Sequence, residues 1–225
     1  MKIIVALDYT NPLDALEMAA KLRHYVDGFK TNHTLWSQSV YIKDYTEGKE
    51  LFVDCKLWDT PNTVKQVVQK IVDKGATMTT ICTHNNEAVF EELEQFSDQI
   101  KLLGVTYLTS WSGSDLLDIL NYLPNGVDTM WRENITRVQK YGFSGMICSP
   151  TDLAIVKPLA QDMITVCPGI GSNKGQVRAV TPRLAKKRIR QANNLGADYL
   201  VIGRTITESD DPIRTIREIR ENARY

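Results

Sequence analysis

The chain has 225 residues, 43% of them apolar and 24% charged, ordinary values for a globular protein with room for one large domain. Lys+Arg and Asp+Glu number 27 each, so the formal net charge is zero, which argues against the broad basic field that nucleic-acid binding needs. No apolar stretch reaches transmembrane length, and Met1-Lys2-Ile3-Ile4-Val5-Ala6-Leu7-Asp8, with an acid straight after a short apolar run, reads as a first strand and not as a signal peptide.

Strand and helix patterns then alternate along the chain. A strand at 3–7 leads to an amphipathic segment at 12–24, and a very short strand at 28–30 to one at 34–43. Strand 51–56 precedes helix 63–74, and strand 77–83 precedes helix 87–96. Strand 102–108 is followed by two helical segments, 114–120 and 129–141, separated by a surface loop at 121–128 that holds Pro124 and Gly126. Strands 145–149, 164–167 and 199–202 precede helices 151–160, 182–195 and 212–223. Cap residues before Pro mark helix starts at Asn11-Pro12, Thr181-Pro182 and Asp211-Pro212. Gly75, Gly142 and Gly196 fall between a helix and a strand, where a left-handed cap is expected.

Eight strands, each followed by a helix, predict an α/β fold of the (β/α)8 TIM-barrel type, with residues 1–225 as a single domain. An open doubly wound sheet fits less well, because no Gly-rich dinucleotide turn follows the first strand. Cys55, Cys82, Cys148 and Cys167 lie within or at the ends of predicted strands, and no pair has metal-ligand spacing. They read as reduced thiols of a cytosolic protein, which sets the expected localisation as cytoplasmic.

Barrel chemistry sits where strands end. Those positions are Asp8, Lys30, Asp54, Lys56, Asp59, His84, Thr109, Ser110, Ser112, Pro168 and Arg204, a polar ring on an apolar barrel. The segment Asp54-Cys55-Lys56-Leu57-Trp58-Asp59-Thr60-Pro61 is the most informative. Alternation in a strand puts Asp54 and Lys56 on one face, with Asp59 just beyond the strand end. A structural ion pair is the plain alternative. Such networks gain little over apolar packing, so a catalytic array is the better reading, with Lys56 held as a cation between carboxylates and poised to donate a proton.

Asp8 and Lys30 divide between local roles, a turn cap and a snorkelling lysine, and site roles. The glycine-bearing run from Cys167 through Gln176 follows the seventh strand, and Gly203-Arg204-Thr205 follows the eighth. Loops at these two places commonly bind phosphate, and Arg204 brings a fork-shaped cation suited to phosphate oxygens. His24, His33 and His84 are scattered without zinc-like spacing. Lys186, Lys187, Arg188 and Arg190 read as the solvated face of a helix.

These residues resemble the orotidine 5′-phosphate decarboxylase family over nearly the whole chain. The matching pieces are Val5-Ala6-Leu7-Asp8, Phe29-Lys30, the array from Asp54 through Pro61-Asn62-Thr63, Leu108-Thr109-Ser110, Cys148-Ser149-Pro150, Pro168-Gly169-Ile170, Thr181-Pro182, and Gly196 through Arg204. The resemblance implies cofactor-independent loss of CO2 from orotidine 5′-phosphate, without a metal, in pyrimidine biosynthesis. Lys56 would protonate C6 of the pyrimidine. Asp54 would sit beside the substrate carboxylate and form an alternating charge network with Lys30 and Asp59. Asp8 and Lys30 would contact the ribose, Thr109 or Ser112 the base, and Pro168 the pyrimidine face. Gln176, Gly203 and Arg204 would hold the phosphate. Asp59 and Thr63 would serve the active site of the partner in a homodimer, and Thr60 takes the position that closes the partner's pocket.

The chain departs from the family pattern at Thr31-Asn32, Trp58, Thr60, Asn85-Asn86, Gly171 and Thr205, changes that leave the charge array intact. Two rival readings stand beside this one. Mg2+-dependent keto-sugar-phosphate decarboxylases and aldolases of the same superfamily share Asp-x-Lys-x-x-Asp, but they carry an acidic metal ligand where this chain has Lys30, and a cation there would repel Mg2+. The other rival is a barrel that binds a phosphate ligand without catalysis.

Overall fold

A computed structural model describes residues 1–37, 46, 48–121, 126–170 and 182–222. Eight strands pair in parallel in sequence order: β1 (Lys2–Ala6), β2 (Gly28–Asn32), β3 (Glu50–Leu57), β4 (Met78–Cys82), β5 (Lys101–Val105), β6 (Gly145–Ile147), β7 (Ile164–Cys167) and β8 (Tyr199–Ile202). β8 returns to pair with β1, so the sheet is a closed barrel of the (β/α)8 type.

Parallel neighbours need a crossover, and helices supply it. They are α1 (Pro12–Leu22), α2 (His33–Ser37), α3 (Pro61–Asp73), α4 (Glu87–Leu93), α5 (Gly113–Leu120), α6 (Val127–Lys140), α7 (Leu153–Leu159), α8 (Pro182–Asn194), α9 (Arg204–Thr207) and α10 (Pro212–Asn222). Asn11 starts α1 by accepting the Leu13 N–H at 3.1 Å, and Asp211 accepts the Arg214 N–H at the head of α10. Gly75, Gly142 and Gly196 take φ of +75°, +72° and +78°, the left-handed conformation that ends a helix cheaply without a Cβ.

Alternation along the strands divides the core in two. Ile3, Val5, Phe29, Leu51, Val53, Ile81 and Leu102 face the helices and join their apolar sides in a large outer cluster. Ile4, Ala6, Phe52, Met78, Leu103, Val105, Ile147, Val166, Tyr199 and Val201 fill the barrel interior. The lower mouth is closed by a polar knot centred on Glu50. Its carboxylate accepts from Lys101 Nζ at 2.9 Å, Tyr199 Oη at 2.8 Å and Thr77 Oγ1 at 2.7 Å, with Lys2 Nζ 3.7 Å away. The interior is thus polar below, apolar in the middle and charged above.

Several elements differ from expectation. β5 ends at Val105, three residues early, because Tyr107 leaves the ladder and packs against Trp131 of α6 at 5.5 Å. β6 ends at Ile147, and Ser149 turns to bond the Asp152 carboxylate. α3 begins at Pro61, the first-turn position that suits proline. The expected helix 34–43 is described as α2 for His33–Ser37, and its remainder lies outside the described residues. The cap at Thr181 and the middle of loop 121–128 also lie outside them. The four-residue α9 was not expected. All four cysteines are free, with the Cys148 and Cys167 sulfurs 3.8 Å apart across β6 and β7.

Candidate active site at the carboxyl ends of the strands

The upper end of the barrel opens into a cavity of about 660 Å3, a size suited to a small organic ligand. Its floor is the inner apolar layer, Ala6, Phe52, Val105, Ile147 and Val201. Its walls carry Asp8, Lys30, Asp54 and Lys56 on one side and Thr109, Pro168, Gly203 and Arg204 around the rest.

The charged wall is a chain of alternating sign. Lys30 Nζ bonds Asp8 Oδ1 at 2.9 Å and lies 3.6 Å from Asp54 Oδ2, and Lys56 Nζ bonds that same oxygen at 2.8 Å. Lys30 and Asp54 have side chains only 10% and 13% exposed. Opposite charges about 4 Å apart attract by about 4 kcal/mol near a protein surface, and a carboxylate loses several kcal/mol on leaving water. Two lysines therefore outweigh that loss. Burial pushes the Asp54 carboxyl up, but Lys30, Lys56 and the hydrogen bonds from Lys56 and Thr80 hold it below its ordinary value. Asp54 is a fixed anion, and Lys56, at the solvent end, is the cation free to face a ligand.

The backbone that presents this pair is irregular. Val53 pairs with Thr79 and Leu57 with Ile81, and the register shifts between them. Lys56 sits at φ +49°, a conformation that a residue with a Cβ adopts at a cost. Asp54 and Lys56 meet on one face, as expected, but through a bulge and not through plain alternation. Cys55 between them is inert, since burial and Asp54 push its thiol up to about 11.

The opposite wall has the parts of an anion site. Gly169 at φ +81° lies against Thr109. Arg188 of α8 anchors this loop by donating to the Gly169 carbonyl at 2.8 Å. Gly203 follows β8 close to Ala6, where an added Cβ would stand 3.5 Å from the Ala6 Cβ, and it leads directly into α9 and Arg204. Gln176 lies outside the described residues.

Four expected positions are not in this wall. Ser112 caps α5, its hydroxyl accepting the Asp115 N–H and its N–H bonding the Asp115 carboxylate, and it is not among the residues around the cavity. Asp59, Thr60 and Thr63 stand on the exposed rim beyond β3. There Asp59 Oδ1 accepts the Thr60 N–H at 2.6 Å, and the hydroxyls of Thr60 and Thr63 are 2.9 Å apart. Trp58 beside them is 73% exposed. His84 Nε2 donates to the Thr106 carbonyl at 2.8 Å, and burial lowers its pKa, a structural use of the ring.

Sequence reasoning missed Tyr9, Thr207 and Glu208, which complete the cavity wall, and Thr80, whose hydroxyl donates to Asp54 at 2.8 Å. Alternation along β4 puts Thr80 on the same inner face as Met78, but its partners are set by how β4 lies against β3. No group of three or more His, Cys, Asp or Glu side chains placed to hold a metal occurs among the described residues. No helix among them is long and apolar enough to cross a membrane.

A parallel barrel with a cavity at its carboxyl strand ends, lined by charges of both signs over an apolar floor, defines a TIM-barrel protein with room for a small polar ligand. Residues 1–219 match the family model described as Orotidine 5′-phosphate decarboxylase / HUMPS family. The orotidine 5′-phosphate decarboxylase of Dictyoglomus thermophilum is 36% identical, with 97% of this chain and 93% of that protein covered. That of Actinobacillus succinogenes is 34% identical, with 97% and 96% covered. The crystal structure of orotidine 5′-phosphate decarboxylase from Lactobacillus acidophilus superposes with a TM-score of 0.75 at 26% identity, covering 100% of this chain and 99% of that one. The chain belongs to the orotidine 5′-phosphate decarboxylase / HUMPS family.

Proposed function

We propose that this protein decarboxylates orotidine 5′-phosphate to uridine 5′-phosphate, with Lys56 as the proton donor to C6. The observation that carries the reading is the chain Asp8–Lys30–Asp54–Lys56 ending in an ammonium at the cavity mouth. Loss of CO2 leaves an electron pair in the ring plane at C6, with no neighbouring π-acceptor. An ammonium fixed beside that carbon stabilises the developing charge and then protonates it. Asp54 next to the departing carboxylate adds a like-charge repulsion that CO2 release relieves.

The remaining roles are those the family resemblance implies. Asp8 and Lys30 take the ribose, Thr109 the base edge and Pro168 the ring face. Gly203 and Arg204 take the phosphate together with Gln176. Phosphate contacts far from C6 supply binding energy for positioning. The unit responsible is one barrel domain spanning residues 1–225, at work in the cytosol.

The working form is a homodimer in which Asp59, Thr60 and Thr63 reach the neighbouring cavity. What supports this is their exposure on the rim next to Trp58, outside the cavity of their own chain. Mixing Lys56→Ala with Asp59→Ala subunits tests it. Each variant alone should be nearly inactive, whereas a hybrid dimer recovers one site with both groups, about a quarter of all sites in an even mixture. Hybrid dimers without activity would contradict the shared site.

The rival reading, a Mg2+-dependent keto-sugar-phosphate enzyme of the same superfamily, is disfavoured because Lys30 puts a cation between the carboxylates of Asp8 and Asp54, where it would repel Mg2+. Assay of chelator-treated protein with orotidine 5′-phosphate, followed by ultraviolet absorbance, separates the possibilities. Turnover to uridine 5′-phosphate is the expected result. Activity on a keto-sugar phosphate dependent on added Mg2+ would move the assignment to the sister branch, and silence in both assays would leave a binding protein.

A further inference from the structure

Between the pairs Val53–Thr79 and Leu57–Ile81, β3 runs through Asp54, Cys55 and Lys56, whereas β4 offers the single residue Thr80. Three residues thus oppose one, and the stretch that carries the charge pair has lost regular ladder partners. Thr80 makes up for this with one hydroxyl. It accepts the Lys56 N–H at 2.8 Å and donates to Asp54 Oδ1 at 2.8 Å. The other oxygen, Asp54 Oδ2, faces the Lys56 and Lys30 ammonium groups. Thr80 is fully buried, so water has poor access to replace its hydroxyl. A hydroxyl has one proton. Because the amide can only donate to it, that proton is directed at the carboxylate.

We propose that Thr80 is a positioning residue for the proton transfer: its hydroxyl ties the Asp54 carboxylate and the left-handed Lys56 backbone to one point, holding anion and ammonium in fixed relation. The role rests on the decarboxylase reading of the site. It differs from a merely structural threonine in one consequence, because removing a donor to an anion favours the protonated acid. The groups facing Asp54 are Lys30 from β2, Lys56 and Cys55 from β3, and Thr80 from β4, with Asp8 after β1 reaching it through Lys30. Thr80 is uncharged, so replacing it leaves the charge count unchanged.

The test compares Thr80→Val, which keeps the shape and loses the hydroxyl, with Thr80→Ser, which keeps the hydroxyl. Two readouts are needed. The first is the acid limb of the kcat/KM–pH profile for orotidine 5′-phosphate. The second is the carboxyl-carbon NMR titration of Asp54 in ligand-free protein, assigned with Asp54→Asn. In Thr80→Val both should move to higher pH by about one unit, and kcat should fall about 10- to 100-fold with a smaller change in KM. Thr80→Ser should return both limbs towards wild type. Unmoved limbs in Thr80→Val overturn the proposal, even if the variant is less stable. If that variant does not fold, Thr80→Cys, with its weaker donor, is judged by the same two readouts. Wild-type protein silent towards orotidine 5′-phosphate would sink the decarboxylase reading and the proton-transfer role with it. The NMR titration would still report whether Thr80 tunes Asp54, so the two failures are distinguishable.

Discussion

Lys56 combines two features that pull against each other: a backbone at φ +49° and an ammonium hydrogen-bonded to a buried anion. Left-handed residues with a Cβ cost of order 1 kcal/mol and persist where their surroundings over-determine them. Replacing the side chain removes the proposed proton donor while the backbone strain remains. Lys56→Ala should lower kcat by about 10^3-fold or more and lower the melting temperature, because buried Asp54 then keeps only Lys30 as a counter-charge. Activity assay alongside calorimetry checks this, and near-normal turnover would end the assignment of Lys56. Arginine should not restore the rate, since guanidinium gives up a proton far less readily than ammonium.

Strands and helices show how much was legible before the coordinates. β7 and β8 match their expected bounds, and the other strands lie within a few residues, because period-two alternation and glycine punctuation dominate there. α9 was invisible: four residues carry no helical period. The Glu50 knot was missed for a related reason, since an acid at the start of a strand reads as a solvated end and its partners come from β1, β5 and β8. Asp54 and Lys56 were legible as a pair. Thr80 was not, because its importance comes from register between strands, which one strand's sequence does not carry. Register also explains why Gly145 has no side chain. A Cβ there would stand 2.3 Å from the Ile164 carbonyl oxygen, inside the contact that pairs β6 with β7. Gly145→Ala should therefore destabilise by about 1–3 kcal/mol, read as a lower midpoint in denaturant. An unchanged midpoint would mean that β6 can withdraw without loss.

At the scale of the whole barrel, the apolar middle layer separates two polar ends with different work. Glu50 sits in the lower one. Burial raises its pKa, but bonds from Thr77, Lys101 and Tyr199 and the Lys101 charge outweigh that and hold the carboxyl below the usual glutamate range. A depressed carboxyl contributes stability that is full above its unfolded pKa and is lost as pH falls towards the folded one. Glu50→Gln should therefore cost about 2 kcal/mol near neutrality, with the gap to wild type narrowing below about pH 4. Decarboxylation at saturating substrate should be unchanged, since the knot lies across the apolar layer from the cavity. A rate loss matching the stability loss would show the two ends to be coupled.

In β3, four residue steps lead from Val53 to Leu57, whereas two lead from Thr79 to Ile81 on β4. The surplus is even, so every side chain beyond it keeps its face. Asp54 and Lys56 thus ride on a detour that closure of the sheet does not require. Mutation can rewrite such a detour while the surrounding frame goes on folding, which frees the chemistry to diverge faster than the architecture. A barrel built this way can keep its frame while the short segment that carries its charges is rewritten.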